Sequence, residues 1–179
     1  SALKKSAQRL GAKFVDKNVS ELVFSGNRAS HVLVDKNKIP ISSVAVTSGV
    51  WTAELLKPIN PALKLRAVKG ELLLAEIDGP PLSLDITYGL AGLYQSQPGV
   101  YWAGGTESCS FPDPGTTVAG REEILANLNM ILPGITKIHC LAHYAGYRPM
   151  SEDRLPIVGR LNPCENIFIG TGGGSKGVL

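Results

Sequence analysis

Apolar residues recur at helical spacing in only a few stretches of the chain. Leu3, Ala7 and Leu10 stand at i, i+4 and i+7 with lysines and arginine between them and Gly11 behind them. This predicts an amphipathic helix with a C-terminal stop. Ile124, Leu125, Leu128, Ile131 and Leu132 predict a second helix, closed by Pro133 and Gly134, with Thr116 or Thr117 placed to cap it. A short third helix is predicted over residues 50–56.

Elsewhere the pattern is that of strands. Residues 13–16, 21–24 and 31–35 are short β-rich runs separated by the turn residues Asn18, Gly26-Asn27 and Asp35-Lys36-Asn37, and read as an antiparallel meander. Residues 43–47 are nearly all apolar or small, which suits a strand buried on both faces. Residues 63–77 predict a long bent strand, with Gly70 as its bulge or kink. Another strand is predicted over 82–88, and 93–95 pair with 100–105 in a hairpin around Gln97-Pro98-Gly99. The prolines and glycine of residues 108–117 exclude regular structure there. Strands at 138–144 and 167–170 complete the set. Strands dominate and do not alternate regularly with helices, so the predicted class is α+β, with a large mixed or antiparallel sheet flanked by helices.

Composition narrows the function. At 179 residues the chain is read as one domain, and 44% hydrophobic with 18% charged residues is ordinary for a globular protein. A net charge of +3, without a basic run, gives no reason to expect nucleic acid. Cys109, Cys140 and Cys164 have neither zinc-site nor disulfide-framework spacing, so a reducing, cytoplasmic setting is expected. No membrane span and no signal peptide are expected. Assembly as a homo-oligomer is left open.

The candidate chemistry centres on Arg148, set in HYAGYRPMSEDRLPIVG at residues 143–159. A planar guanidinium matches a carboxylate bidentately, so the arginine is either a carboxylate reader or a surface residue at a strand end. Thr47-Ser48-Gly49, at the carboxyl end of a buried strand, either meets a ligand or makes a strand-to-helix turn that needs a small residue. The glycine-rich run at residues 170–177 bares backbone amides but does not fit GxxxxGK[ST]. His31, His139 and His143 lack ligand spacing with carboxylates; His139 and His143 are expected on one strand face, and no metal site is expected. Ser108, Cys109 and Ser110 lie in a polar loop without a neighbouring histidine, so no catalytic residue is assigned.

The arginine segment resembles the "GLRP...DGLPIIG" stretch of the flavin-dependent amino-acid oxidases, the family of D-amino-acid oxidase, sarcosine oxidase and glycine oxidase. Gly146, Tyr147, Arg148, Pro149, Asp153, Leu155, Pro156, Ile157 and Gly159 carry that match. VAVTSGVW, AVKGELL and VYWAGGTES match in the same order, and SGVW followed by VKGE is nearest to glycine oxidase. The resemblance implies FAD as cofactor and oxidative deamination of a small amino acid, such as glycine, sarcosine or a D-amino acid, with release of hydrogen peroxide. For glycine it further implies supply of an imine to thiamine biosynthesis. It implies the substrate-binding domain of a D-amino-acid-oxidase-like flavoprotein, with residues 1–57 bordering an FAD domain, 58–150 forming the substrate-binding sheet and helix, and 151–179 returning to the flavin. Arg148 would hold the substrate carboxylate, and Tyr94, or else Tyr147, would wall the pocket. Val19, Thr47, Ser48, Gly49, Trp51, Gly172, Gly173, Gly174, Ser175, Lys176, Gly177 and Val178 would contact the cofactor. The chain opens on a helix without a preceding strand, which is expected of an excerpt lacking a GxGxxG segment and inactive when isolated. A related dehydrogenase and a non-catalytic domain are the alternative readings.

Overall fold

The structure is a computed structural model that describes residues 2–134 and 137–176. The first helix, α1 (Ala2–Arg9), buries none of its residues, and Leu3 and Leu10 point to solvent. Next comes a meander of β1 (Val19–Ser25), β2 (Arg28–Val34) and β3 (Asn37–Pro40), all antiparallel. The expected strand at 13–16 is absent. Phe14 and Val15 are exposed, and no neighbouring strand offers their backbone a partner. The third strand was not anticipated. It is folded back by Asp35 and Lys36, whose φ values of 47° and 68° are those of a tight hairpin turn.

Strand β4 (Val44–Val46) runs parallel to β11 (Ile167–Thr171), which pairs antiparallel with β10 (Ile157–Arg160). After β4 a 3-10 turn (Gly49–Trp51) leads into α2 (Thr52–Leu56). These elements and the meander close one core around Leu22, Val46, Leu56, Leu161, Ile167 and Ile169. Asn166 locks it by donating to the carbonyls of Ala29 (2.7 Å) and Ser42 (2.9 Å) and accepting from the Ala29 amide (2.9 Å).

A second core lies under a five-stranded antiparallel sheet. In spatial order its strands are β6 (Ile86–Tyr88), β7 (Ala91–Gln97), β8 (Val100–Gly104), β5 (Arg66–Ile77) and β9 (Ile138–Met150). Helix α3 (Val118–Ile131) packs on one face, its Ile124 and Leu128 against Leu73, Leu93, Tyr101 and Ala103. Thr117 caps that helix, accepting from the Gly120 amide at 2.9 Å. Together the elements form an α+β fold.

Several expectations need correction here. The strand expected at 82–88 is confined to Ile86–Tyr88, and Ala45 in β4 is exposed, so that strand is not buried on both faces. The bulge of β5 with β9 falls between Leu74 and Ala75, while Gly70 pairs in register with Gly146. The strand expected at 138–144 continues to Met150, so Arg148 lies within it and not at its end. The bulge also shifts the alternation of β9. Cys140 pairs with Ala75 and Ala142 with Leu74, which turns His139 to the face opposite His143.

Candidate functional site

Alternation along β5 and β9 sorts their side chains onto two faces. Directly paired residues share a face, and chain neighbours take opposite ones. Lys69, Glu71 and Leu73 pair with Tyr147, Ala145 and His143 on the face covered by α3. Val68, Gly70 and Leu72 pair with Arg148, Gly146 and Tyr144 on the other face. Leu72 also faces Gly104 of β8, which faces Gly92 of β7, and Trp102 faces both Leu74 and Tyr94.

On this second face glycines leave room for large side chains to lie flat. The Arg148 guanidinium rests on Gly70, where an added methyl would overlap it, and Gly105 flanks it. Leu72 lies on Gly104 in the same way, and the ring of Tyr94 covers Gly92, where a Cβ would come within 2.6 Å. Arg148 Nη1 donates to the Thr106 carbonyl at 3.1 Å. Among the described residues no carboxylate pairs with this guanidinium. It opens into a cavity of about 440 Å³ that Tyr94, Leu72, Gly105, Thr106, Met150 and the turn Gly173–Ser175 also line. A partly buried arginine with its fork largely unused is a ready receptor for a ligand carboxylate.

That glycine-rich turn belongs to a second feature. Strands β4 and β11 run parallel and release the chain at the same end, β4 into Thr47–Trp51 and β11 into Gly172–Lys176. The carboxyl ends of parallel strands are where folds of this kind receive ligands. Thr171 Oγ1 donates to the Gly49 carbonyl at 3.1 Å and ties the two turns together. Gly173 bridges to Met150 of β9, which brings the second turn beside Arg148. Gly49, Gly172 and Gly174 have φ of +60°, +74° and +52°, a left-handed backbone that glycine adopts without strain. Gly172 meanwhile packs against Ser151 and the Leu155 carbonyl.

The remaining predicted residues divide. Val19, Ser48 and Trp51 line a second cavity of about 780 Å³ with residues 17–21 and Glu54, Leu55 and Pro58. Thr47 joins Val19 and Ser48 in a smaller one of about 240 Å³ beneath it. Trp51 is 55% exposed and Val19 42%, apolar surface that a planar ligand would cover. Cavities of roughly 300 to 1,000 Å³ are typical of cofactor sites. Bared glycine backbone, open space at the Gly49 Cα and exposed apolar walls therefore fit a large cofactor lying across this strand end. Lys176 closes the last 3-10 turn. Gly177 and Val178 lie outside the described residues.

Tyr147 is turned away from this site. It sits on the α3 face, its hydroxyl 3.4 Å from the Ser110 carbonyl and its ring edge-on to Phe111. Next to Arg148 it borders only a smaller hollow of about 270 Å³. Burial, together with the nearby Asp113 carboxylate, raises its phenol above the usual tyrosine range.

The α3 face carries a buried charge network. Lys69 and Glu71 are 1% and 3% exposed. Glu71 accepts from the Thr117 amide at 2.9 Å and the Thr117 hydroxyl at 2.8 Å, at the N-terminus of α3. Lys69 Nζ lies 3.8 Å from Glu71 and donates to Asp113 at 3.2 Å. His143 Nε2 is 2.8 Å from Glu71 Oε2, close as an ion pair but out of line for a hydrogen bond. Burial alone would raise the Glu71 carboxyl. The two Thr117 bonds, with His143 and Lys69, outweigh it and hold the group below the usual glutamate value. Asp113 is held low by the Gly115 amide and by Lys69. No group of three or more histidine, cysteine, aspartate or glutamate residues suited to a metal lies among the described residues.

Several lining residues were not anticipated, among them Gly70, Gly105, Thr106, Glu107 and Arg154. Gly70 stands two residues along β5 from Val68, the direct partner of Arg148, and its missing side chain leaves the room that the guanidinium fills.

Known proteins share this fold and sequence pattern. The family described as FAD dependent oxidoreductase matches residues 1–179. Glycine oxidase of Pseudomonas aeruginosa is 26% identical over 154 residues, which cover 86% of this chain and 42% of that protein. D-amino acid dehydrogenase of Vibrio atlanticus is 27% identical over 185 residues, 98% of this chain and 43% of that protein. The crystal structure of glycine oxidase from Bacillus cereus shares the fold with a TM-score of 0.89 at 21% identity, covering 98% of this chain and 49% of that one. The chain spans about half the length of the curated relatives it matches.

Proposed function

Because the chain belongs to the FAD dependent oxidoreductase family, we propose that it forms the substrate side and flavin edge of an enzyme that oxidatively deaminates a small amino acid. Glycine, sarcosine and D-amino acids are the substrates this reading names, with an imine or keto acid and hydrogen peroxide as products. The observation that carries it is the Arg148 guanidinium, laid flat on Gly70 and open to a cavity without a carboxylate partner among the described residues.

In this reading Arg148 fixes the substrate carboxylate and Tyr94 walls the pocket, so that the α-carbon faces the cofactor. Thr47, Ser48, Gly49, Trp51 and Gly172 to Ser175 border the flavin, and Val19 its adenine end. FAD, when bound, supplies the acceptor for the hydride leaving the α-carbon. The lining of the Arg148 cavity includes no histidine, and its one carboxylate is Glu107. Orientation and exclusion of water are therefore the part assigned to this chain. The thiols of Cys109, Cys140 and Cys164 are free, in keeping with a reducing cytoplasm, and no helix among the described residues is long and apolar enough to cross a membrane. If glycine is the substrate, its imine suits thiamine biosynthesis.

The similarity to D-amino acid dehydrogenases supports a second reading, in which electrons pass to an acceptor other than oxygen. Peroxide release from the complete flavin-loaded enzyme with glycine, sarcosine, D-alanine, D-aspartate and iminodiacetate tests the first reading. Turnover only with a dye acceptor would select the second, and no oxidation under either condition would overturn both.

A further inference from the structure

The cavity around Arg148 is bordered by a second arginine. Its lining includes three charged residues, the half-buried Arg148 and the exposed Arg154 and Glu107, and none of them is in an ion pair among the described residues. Arg154 has a φ of 61°, a conformation that residues with a side chain rarely adopt. A dedicated turn holds it there. The one Ser151 hydroxyl proton is shared between Asp153 Oδ1 at 2.9 Å and the Leu155 carbonyl at 2.7 Å, and the Leu155 amide donates to the same Asp153 oxygen at 3.0 Å. The Arg154 amide donates to the Ser151 carbonyl at 3.3 Å.

Glycine would take this conformation without strain, and glycine is what stands at this place in the DGLPIIG motif that the segment resembles. Here an arginine occupies it, at the rim of the same cavity as Arg148. A strained residue kept at the rim of a ligand cavity points to use of its side chain. The lining thus includes two arginines and one glutamate. The complement is a molecule with two carboxylates and one ammonium.

From this geometry we infer that Arg154 reads a second carboxylate, and that the substrate class is an amino dicarboxylic acid, such as an acidic D-amino acid or an iminodiacid. The inference rests on the reading of Arg148 as the receptor of the first carboxylate. Glu107 then faces the substrate's amino group.

The test uses two non-reacting acids, acetate and malonate, titrated into the complete flavin-loaded enzyme with flavin absorbance as the readout. The wild-type protein should bind malonate more tightly than acetate. Arg154→Gly, which suits the turn and should keep the thermal midpoint, is expected to weaken malonate about 10- to 100-fold and acetate less than about twofold. Arg148→Lys should weaken both acids. Equal loss for both acids in Arg154→Gly, no loss for either, loss of the flavin itself, or a wild-type protein without preference for malonate would each overturn the inference. If Arg148→Lys leaves acetate untouched, it is the carboxylate reading of Arg148 that fails, and the two failures are told apart.

Discussion

The two faces of the five-stranded sheet are made by alternate residues of the same strands, and they treat charge in opposite ways. On the face beneath α3, Lys69 is paired with Glu71 and Asp113, His143 lies against Glu71, and Glu71 is bound to the helix cap at Thr117. On the other face Gly70, Gly92 and Gly104 carry no side chain, large residues lie flat over them, and Arg148 has only a carbonyl for a partner. Burying a charge without pairing it is costly, and on the first face the buried Lys69 and Glu71 are spent on Asp113, on each other and on the helix cap. The second face leaves its charge available. Charge alone does not distinguish the two faces; a guanidinium whose donors the protein itself leaves largely unused does.

The comparison is broken most severely by Glu71→Ala. Removal of this carboxylate leaves Lys69 buried without its nearer-buried partner and strips α3 of a bond at its cap, at an expected cost of about 3 kcal/mol or more in denaturant unfolding. The pH dependence follows the same residue. Its folded-state carboxyl lies below its unfolded value, so its stabilisation is complete above the unfolded value of about 4.3 and is lost as pH falls through the lower folded one. Asp113 and Asp153 act with the same sign. Acid unfolding curves should therefore steepen below about pH 4 in the wild-type protein and flatten in Glu71→Ala.

Gly70→Ala, one residue earlier, should do the reverse. The added methyl displaces the end of a flexible side chain and not backbone, so stability should change by less than about 1 kcal/mol. With the Arg148 fork pushed off its seat, kcat/KM for amino acids should drop by about tenfold or more. Loss of fold with retained activity would invert the assignment of the faces. The smallest effect is expected at Tyr147→Phe, which touches only the closed side at Ser110 and Phe111. Substrate kinetics within about twofold of wild type would sharpen the contrast, and a large rise in KM would return Tyr147 to the pocket.

Much of this was legible in the sequence. The apolar stripe of residues 124–132, the hairpin around Pro98 and a strand at 44–46 follow from periodicity and turn residues, while the parallel pairing of that strand does not. Arg148 and the strand end at Thr47–Trp51 emerge from their motifs. The faces of the site were less accessible. Ending β9 before Arg148 hid the alternation that sends Tyr147 and Arg148 to opposite sides, and the bulge between Cys140 and Ala142, which reversed the expected orientation of His139, leaves no mark in composition. The left-handed backbone of Arg154 and its position on a cavity are properties of the folded chain that the sequence does not display.

The most direct measurement of the account's central claim is kcat/KM for an amino acid and for the corresponding simple amine, in the complete flavin-loaded enzyme and its Arg148→Lys variant. Lysine keeps the charge but loses the planar fork, so the amino acid should suffer by roughly ten- to a hundredfold while the amine, which never made the contact, is nearly unaffected. Equal losses for both compounds would show that Arg148 supports the sheet and does not read the substrate.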